Sequence, residues 1–155
     1  MIAIRATHEE SRAVPLDADA AAARFAEIDR QIACHPELDA AQRLDDRRAR
    51  MKLREMSHGP VKFAGEYVLA FALDGTTVTW TTETGGNLTI SGSARFDPAP
   101  GGCTVHFRES VAMALPVNRV VGVVVRPVAE AMMARGMRNF VERVVASLPS
   151  PTSPG

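Results

Sequence analysis

The stretch that most limits what this chain can fold into is its last long apolar run, Val117 to Leu148 (VNRVVGVVVRPVAEAMMARGMRNFVERVVASL). In it Val117, Val120, Val121, Val124, Val128, Met132, Met133, Met137, Phe140, Val141, Val144 and Leu148 recur at steps of three and four. That spacing lays a wide apolar face along one helix, and such a face has to cover something. About 32 residues at ~1.5 Å each make a rod of roughly 48 Å, long enough to lie across a whole sheet. Pro127 cannot donate to the carbonyl four residues back, so a bend is expected there, or two helices end to end. Gly122 and Gly136 loosen the rod further. The β-branched run Val123 to Val125 by itself favours a strand, but Pro116 and Asn118 suit a helix start, and the residues from Ala129 onward favour helix. Such a rod either covers a core and nothing more, or lines a cavity because the sheet beneath is too curved for side chains to fill.

The preceding chain supplies that sheet. Ile2 to Leu16 reads as a first strand, after which Asp17 caps an Ala-rich helix with Phe25 and Ile28 at a helical step, continuing to a stop at His35-Pro36. A short second helix is placed around Glu37 to Ala41. From Leu44 the period changes to two: Ala49, Met51 and Leu53 alternate with Arg48, Arg50, Lys52 and Arg54, a half-buried strand with a charged outer face. Ser57 to Pro60 turns the chain. Val61, Phe63, Gly65, Tyr67, Leu69, Phe71 and Leu73 then share one parity, and Asp74-Gly75 is a strong hairpin turn. Val78 and Trp80 face in. Gly85-Gly86 turns again, Leu88, Ile90, Gly92, Ala94 and Phe96 continue the inner face, and PAPGG makes a third turn. Val105, Phe107, Val111, Met113 and Leu115 form the last inner row. Successive hairpins make an antiparallel meander with one apolar face, and only the terminal helix is long and apolar enough to close it.

That order, with the Asp-Gly hairpin, the segment VTWTTETGGNLTISGSARFDPAPGGCTVHF and ALPVNRVV leading into the last helix, resembles the START-like superfamily, also called SRPBCC. The superfamily includes birch-pollen-allergen-like, polyketide cyclase/dehydrase-like and coenzyme-Q-binding proteins. The resemblance spans roughly Ile2 to Leu148. It implies an α+β helix-grip fold, in which a curved antiparallel sheet wraps around a long kinked C-terminal helix, with one or two short helices after the first strand and a hydrophobic cavity between sheet and helix. It also implies binding of lipids, sterols, polyketides or other apolar molecules, and in some members cyclase or hydrolase-like chemistry. No universal catalytic set accompanies it. The expected organisation is a single domain, residues 1–148, followed by a disordered Pro- and Ser-rich tail, residues 149–155.

Charge and cysteine usage narrow the partners. The 18 basic and 18 acidic residues cancel, so no net field draws the chain to nucleic acid or an anionic membrane. Arg43, Arg47, Arg48, Arg50, Lys52 and Arg54 cluster, but Asp45, Asp46 and Glu55 interrupt them, as on a solvated strand face. Cys34 and Cys103 are the only cysteines and stand in no metal or redox spacing. MIAIRATHEESR lacks the pattern of an export signal, and Val117 to Val125 is too short to span a bilayer, so stable membrane insertion is not expected. The expected location is a reducing cytoplasm, with no cofactor implied.

The residues that would line a cavity, if the parity holds, are Met51, Phe63, Tyr67, Phe71, Trp80, Ile90, Phe107, Glu109, Met113, Val124, Val128 and Met132, with Leu53, Val78 and Leu88 beside them. Each apolar member, if fully buried, would contribute about 1.5 to 3 kcal/mol to the core alone. The methionines among them adapt to irregular shapes and suit an apolar ligand. Two polar residues interrupt the inner rows. Glu109 shares the parity of Phe107 and Val111; inside a cavity it would be driven toward its neutral form and could exchange a proton, whereas a bulge would turn it outward. Tyr67 lies between Phe63 and Phe71, either as a boundary residue with its hydroxyl in water or against a ligand. Among the histidines, His106 alternates outward and His58 lies beside Gly59, and no pair has metal spacing.

Three functions fit these residues. The first is a helix-grip domain binding a small hydrophobic or lipid-like molecule without chemistry of its own. The second is a polyketide cyclase or dehydratase-type enzyme using Glu109 and Tyr67. The third is an interaction module docking by its apolar helix or a hairpin edge, with a homodimer as one form.

Overall fold

The computed structural model describes residues 1–58 and 61–151. Its elements are β1 (Ile2–Val14), α1 (Ala18–Phe25), α2 (Ile28–Cys34), β2 (Leu38–Asp45), β3 (Arg48–Leu53), β4 (Met56–His58), β5 (Val61–Phe63), β6 (Glu66–Asp74), β7 (Thr77–Thr82), β8 (Leu88–Ala99), β9 (Gly102–Leu115) and α3 (Arg119–Ser147). Seven strands form one antiparallel sheet in the order β1-β9-β8-β7-β6-β3-β2, and β4 and β5 form a separate ribbon. The fold is the helix-grip arrangement: a meander closed by its first strand, wrapped around a long terminal helix. No helix among the described residues is long and apolar enough to cross a membrane.

Local chemistry explains the element ends. Asp17 Oδ1 accepts from the Ala20 amide at 2.8 Å and starts α1, and Asn118 Oδ1 accepts from the Val121 amide at 2.9 Å and starts α3. The Asp74-Gly75 turn works because Gly75 holds φ +61, a conformation costly for a side chain. At the other end of α3, carbonyls that a helix leaves unpaired are taken by guanidinium groups from the N-terminal helices. Arg24 donates to Leu148 O at 2.7 Å, while Arg30 donates to Ser147 O at 2.6 Å and Ser150 O at 2.8 Å.

Several elements depart from the expected order. The helix after Asp17 breaks at Ala26-Glu27 into α1 and α2, which buries both Phe25 and Ile28. Instead of the short helix expected around Glu37 to Ala41 the chain forms β2, an edge strand exposed along most of its length, so tertiary pairing with β3 overrides a sequence without alternation. Met56–His58 is strand rather than turn; the remainder of that turn, Gly59-Pro60, the side chain of His58 and tail residues 152–155 lie outside the described residues. The odd-parity run from Val61 divides between β5 and β6, which belong to different sheets.

The terminal helix runs as one element through Pro127, but its buried face is not the one the spacing predicts. Gly122 and Val125 are buried, while Val120, Val123 and Val124 are 80%, 76% and 66% exposed. A Cβ at Gly122 would stand 2.7 Å from Ile2 Cγ2, so the missing side chain lets α3 lie close on β1 and fixes its rotation. Beyond it Met137, Phe140, Val141, Val144 and Leu148 turn inward as expected.

Candidate functional site

The inner face of the sheet meets two different interiors. At one end Phe25 from α1 packs on Trp80 (5.4 Å between ring centroids), Phe96 (5.7 Å) and Phe140 (6.5 Å), with Phe107 against Trp80 (5.5 Å), and the core is solid. Beyond Trp80 and Phe140 the filling stops. A cavity of about 120 Å³ lies between β3, β6, β7, β8, β9 and the middle of α3, and one of about 40 Å³ adjoins it near the β4-β5 ribbon.

Met51, Phe63, Tyr67, Phe71, Trp80, Ile90, Glu109, Met113 and Met132 line the larger cavity, and Val128 lines the smaller. Two expected residues line neither. Phe107 is buried in the solid half, because parity identifies a face without telling which end of it is filled. Val124 points outward for the reason given by Gly122. Val78, equally inward by parity, is likewise core. Met56, Phe63, Met113 and Met132 border both cavities, so the partition consists largely of flexible thioether side chains.

Glu109 is placed by three strands in register. The β8–β9 pairing runs without a shift through Gly92↔Glu109, so no bulge turns the carboxylate outward. Trp80 on β7 pairs with Gly92 on β8. A Cβ at Gly92 would fall 2.3 Å from indole atoms Cε2 and Cζ2; the absent side chain leaves the indole room to lie across β8. Trp80 Nε1 thereby reaches β9 and donates to Glu109 Oε2 at 2.7 Å. Burial raises the Glu109 carboxyl to about 7, against the opposing pull of the Trp80 hydrogen bond.

A second polar pair belongs to the same cavity. Tyr67 is 2% exposed, so it is not a boundary residue; its hydroxyl lies 3.3 Å from His35 Nε2. Burial, and then the charge of Arg143, lower His35 to about 4, so the ring is neutral at pH 7. The Glu37 amide approaches His35 Nδ1 at 3.4 Å, which assigns the ring proton to Nε2 and makes the Tyr67 oxygen its acceptor. Burial and then Glu109 push the Tyr67 phenol above its ordinary range, so it stays protonated. The described residues offer that proton no acceptor.

In the sequence His35 stands out only as the end of a helix. Gln31, four residues earlier, lines the cavity too and donates from Nε2 to Phe25 O at 2.6 Å. The signal that could have found them is the i,i+4 spacing of Gln31 and the capping His35, which share a face with the apolar Ile28. Glu37, Leu53, Met132 and Met133, partly or well exposed members of the lining, mark the mouth. The lining holds Glu37 and Glu109 and no lysine or arginine. No group of three His, Cys, Asp or Glu among the described residues could hold a metal ion. His106 is on the outer face, 3.1 Å from Asp97. Within the basic cluster two side chains pair with carboxylates at the surface, Arg48 with Asp45 and Glu83, and Arg43 with Asp29.

A family profile described as polyketide cyclase / dehydrase and lipid transport matches residues 5–148. A search of curated protein sequences finds no match. Among solved structures the chain is similar to the Zhui aromatase/cyclase of Streptomyces sp. R1128, with a TM-score of 0.66 at 12% identity over 96% of this chain and 94% of that one. It is similar also to a START superfamily protein of Mycobacterium smegmatis, with a TM-score of 0.59 at 10% identity over 95% and 97%. A norcoclaurine synthase of Thalictrum flavum gives a TM-score of 0.55 at 15% identity over 96% and 98%. At these identities the three structures speak for the fold.

Proposed function

The chain belongs to the polyketide cyclase/dehydrase and lipid transport family of the START-like superfamily, and from that premise we propose that it binds a small hydrophobic or lipid-like molecule, without chemistry of its own. The observation that carries this reading is the hollow of about 120 Å³ under α3, walled mainly by apolar side chains beside an aromatic half that is filled. A cavity of about 150 Å³ holds benzene, so the space of about 120 Å³ takes a single small ring once the flexible methionines on its border give way slightly. A longer, lipid-like molecule would reach the adjoining cavity by rearranging Met56, Met113 and Met132. The binding residues in this reading are the cavity-lining set above, Val128 included.

Native mass spectrometry of protein purified from its own host, together with displacement of an apolar fluorescent dye, tests it. A retained small molecule or saturable displacement is expected. Neither a retained mass nor a dye that can be displaced would count against it.

One observation favours a second reading, catalysis of the cyclase or dehydratase type. Glu109 near 7 can both give and take a proton at neutrality, in the same cavity as a phenol that stays protonated. Turnover of a candidate substrate that survives both Glu109→Gln and Tyr67→Phe unchanged would remove this reading.

A further inference from the structure

Resting on the binding reading above, the polar groups narrow the ligand. Of the two Glu109 oxygens, Oε2 is held by Trp80, and Oε1 has no hydrogen-bond partner among the described residues. The Tyr67 oxygen already accepts from His35, so its own proton needs an acceptor that the protein does not supply. Both groups belong to the lining of one cavity otherwise walled largely by apolar side chains. A bound molecule that left them unmatched would desolvate two polar groups without compensation.

We infer that the cavity is built for a small ring bearing one neutral oxygen, a hydroxyl or a carbonyl, set between Tyr67 and Glu109. A hydroxyl oxygen accepts from Tyr67 and donates to the Glu109 carboxylate. A carbonyl oxygen accepts from Tyr67 and from protonated Glu109. An organic anion finds no cation in the lining and meets Glu109 instead, so carboxylates are excluded. An ammonium group would suit Glu109 but has no lone pair for the Tyr67 proton. With the methionine partition yielding toward the adjoining cavity, the free volume limits the ring to about the size of a substituted benzene.

Calorimetric titration of the full chain at pH 7 with toluene, 4-methylphenol, acetophenone, benzoate and benzylamine tests this. The phenol or the ketone, or both, binds about tenfold tighter than toluene, the worth of one well-formed hydrogen bond. Benzoate and benzylamine bind more weakly than the preferred oxygen compound. Tyr67→Phe brings the preferred compound to within about threefold of toluene, and Glu109→Gln relieves the exclusion of benzoate by about tenfold. Equal affinity for toluene and both oxygen compounds overturns the inference and leaves the cavity reading standing. Tightest binding of benzoate or benzylamine overturns it as well. Binding of none of the five overturns the cavity reading and the inference with it. The wild-type comparison needs no variant to fold.

Discussion

Glu109→Gln makes the cavity-lining carboxyl visible in the pH dependence of stability. The free carboxyl titrates at 4.5 and the folded one at about 7, so between these values the folded chain binds more protons than the unfolded chain. Stability from this group is therefore fully present below pH 4.5 and is lost as pH rises through 7, in all about 3 kcal/mol. His35 acts in the opposite sense. Its folded value of about 4 lies below 6.5, so the folded state binds fewer protons in that window, and stability rises with pH by a similar amount. In the wild type the two slopes largely cancel between about pH 4.5 and 6.5, and above 6.5 the Glu109 loss stands alone. Glutamine keeps an acceptor for Trp80 and removes the charge. Urea unfolding followed by Trp80 fluorescence, from about pH 4.5 to 8, is expected to show the variant gaining about 3 kcal/mol on the wild type across that range. Two curves that stay parallel within about 0.5 kcal/mol would refute the placement of an ionisable carboxyl in an apolar cavity.

Other perturbations test the scaffold. Gly92→Ala would put a Cβ against the Trp80 ring, so a stability loss of about 1 to 3 kcal/mol in denaturant unfolding and a shifted indole N–H resonance are expected. Arg30→Ala removes donors to Ser147 O and Ser150 O, and unfolding should begin earlier by about 3 kcal/mol, with faster amide exchange at the end of α3. Val123→Ser with Val124→Ser should leave stability within about 0.5 kcal/mol per site and dye affinity unchanged, because both side chains face away from the cavity; a large loss in either would restore the rotation that the spacing predicts.

The central hairpins were legible because each strand buries one face, which writes a period of two into the sequence from Val78 to Leu115. Glu109 was legible for the same reason, as a polar residue at an inward position. What escaped depends on contacts distant in sequence. The edge strand β2 carries no alternation because both its faces are largely exposed. The Trp80–Glu109 bond crosses an intervening strand and exists only because residue 92 has no side chain. His35 enters the site by the packing of α2, and its partner Tyr67 lies 32 positions away. The rotation of α3 departs from the valine spacing at its first turns, where Gly122, not the valines around it, meets the sheet. Parity could not say that Phe107 belongs to the solid half of the interior.

Trp80 is the only tryptophan, so its indole N–H gives a single, assignable NMR resonance at the wall of the cavity. Titrating the ¹⁵N-labelled chain with 4-methylphenol and acetophenone should shift that resonance to saturation together with the amides of Tyr67, Ile90 and Met113, leaving Phe96 and Val105 in the solid half unmoved. Absence of any saturable shift with these and with apolar rings, or shifts confined to Val120, Val123 and Val124 on the outer face of α3, would contradict a ligand held between sheet and helix.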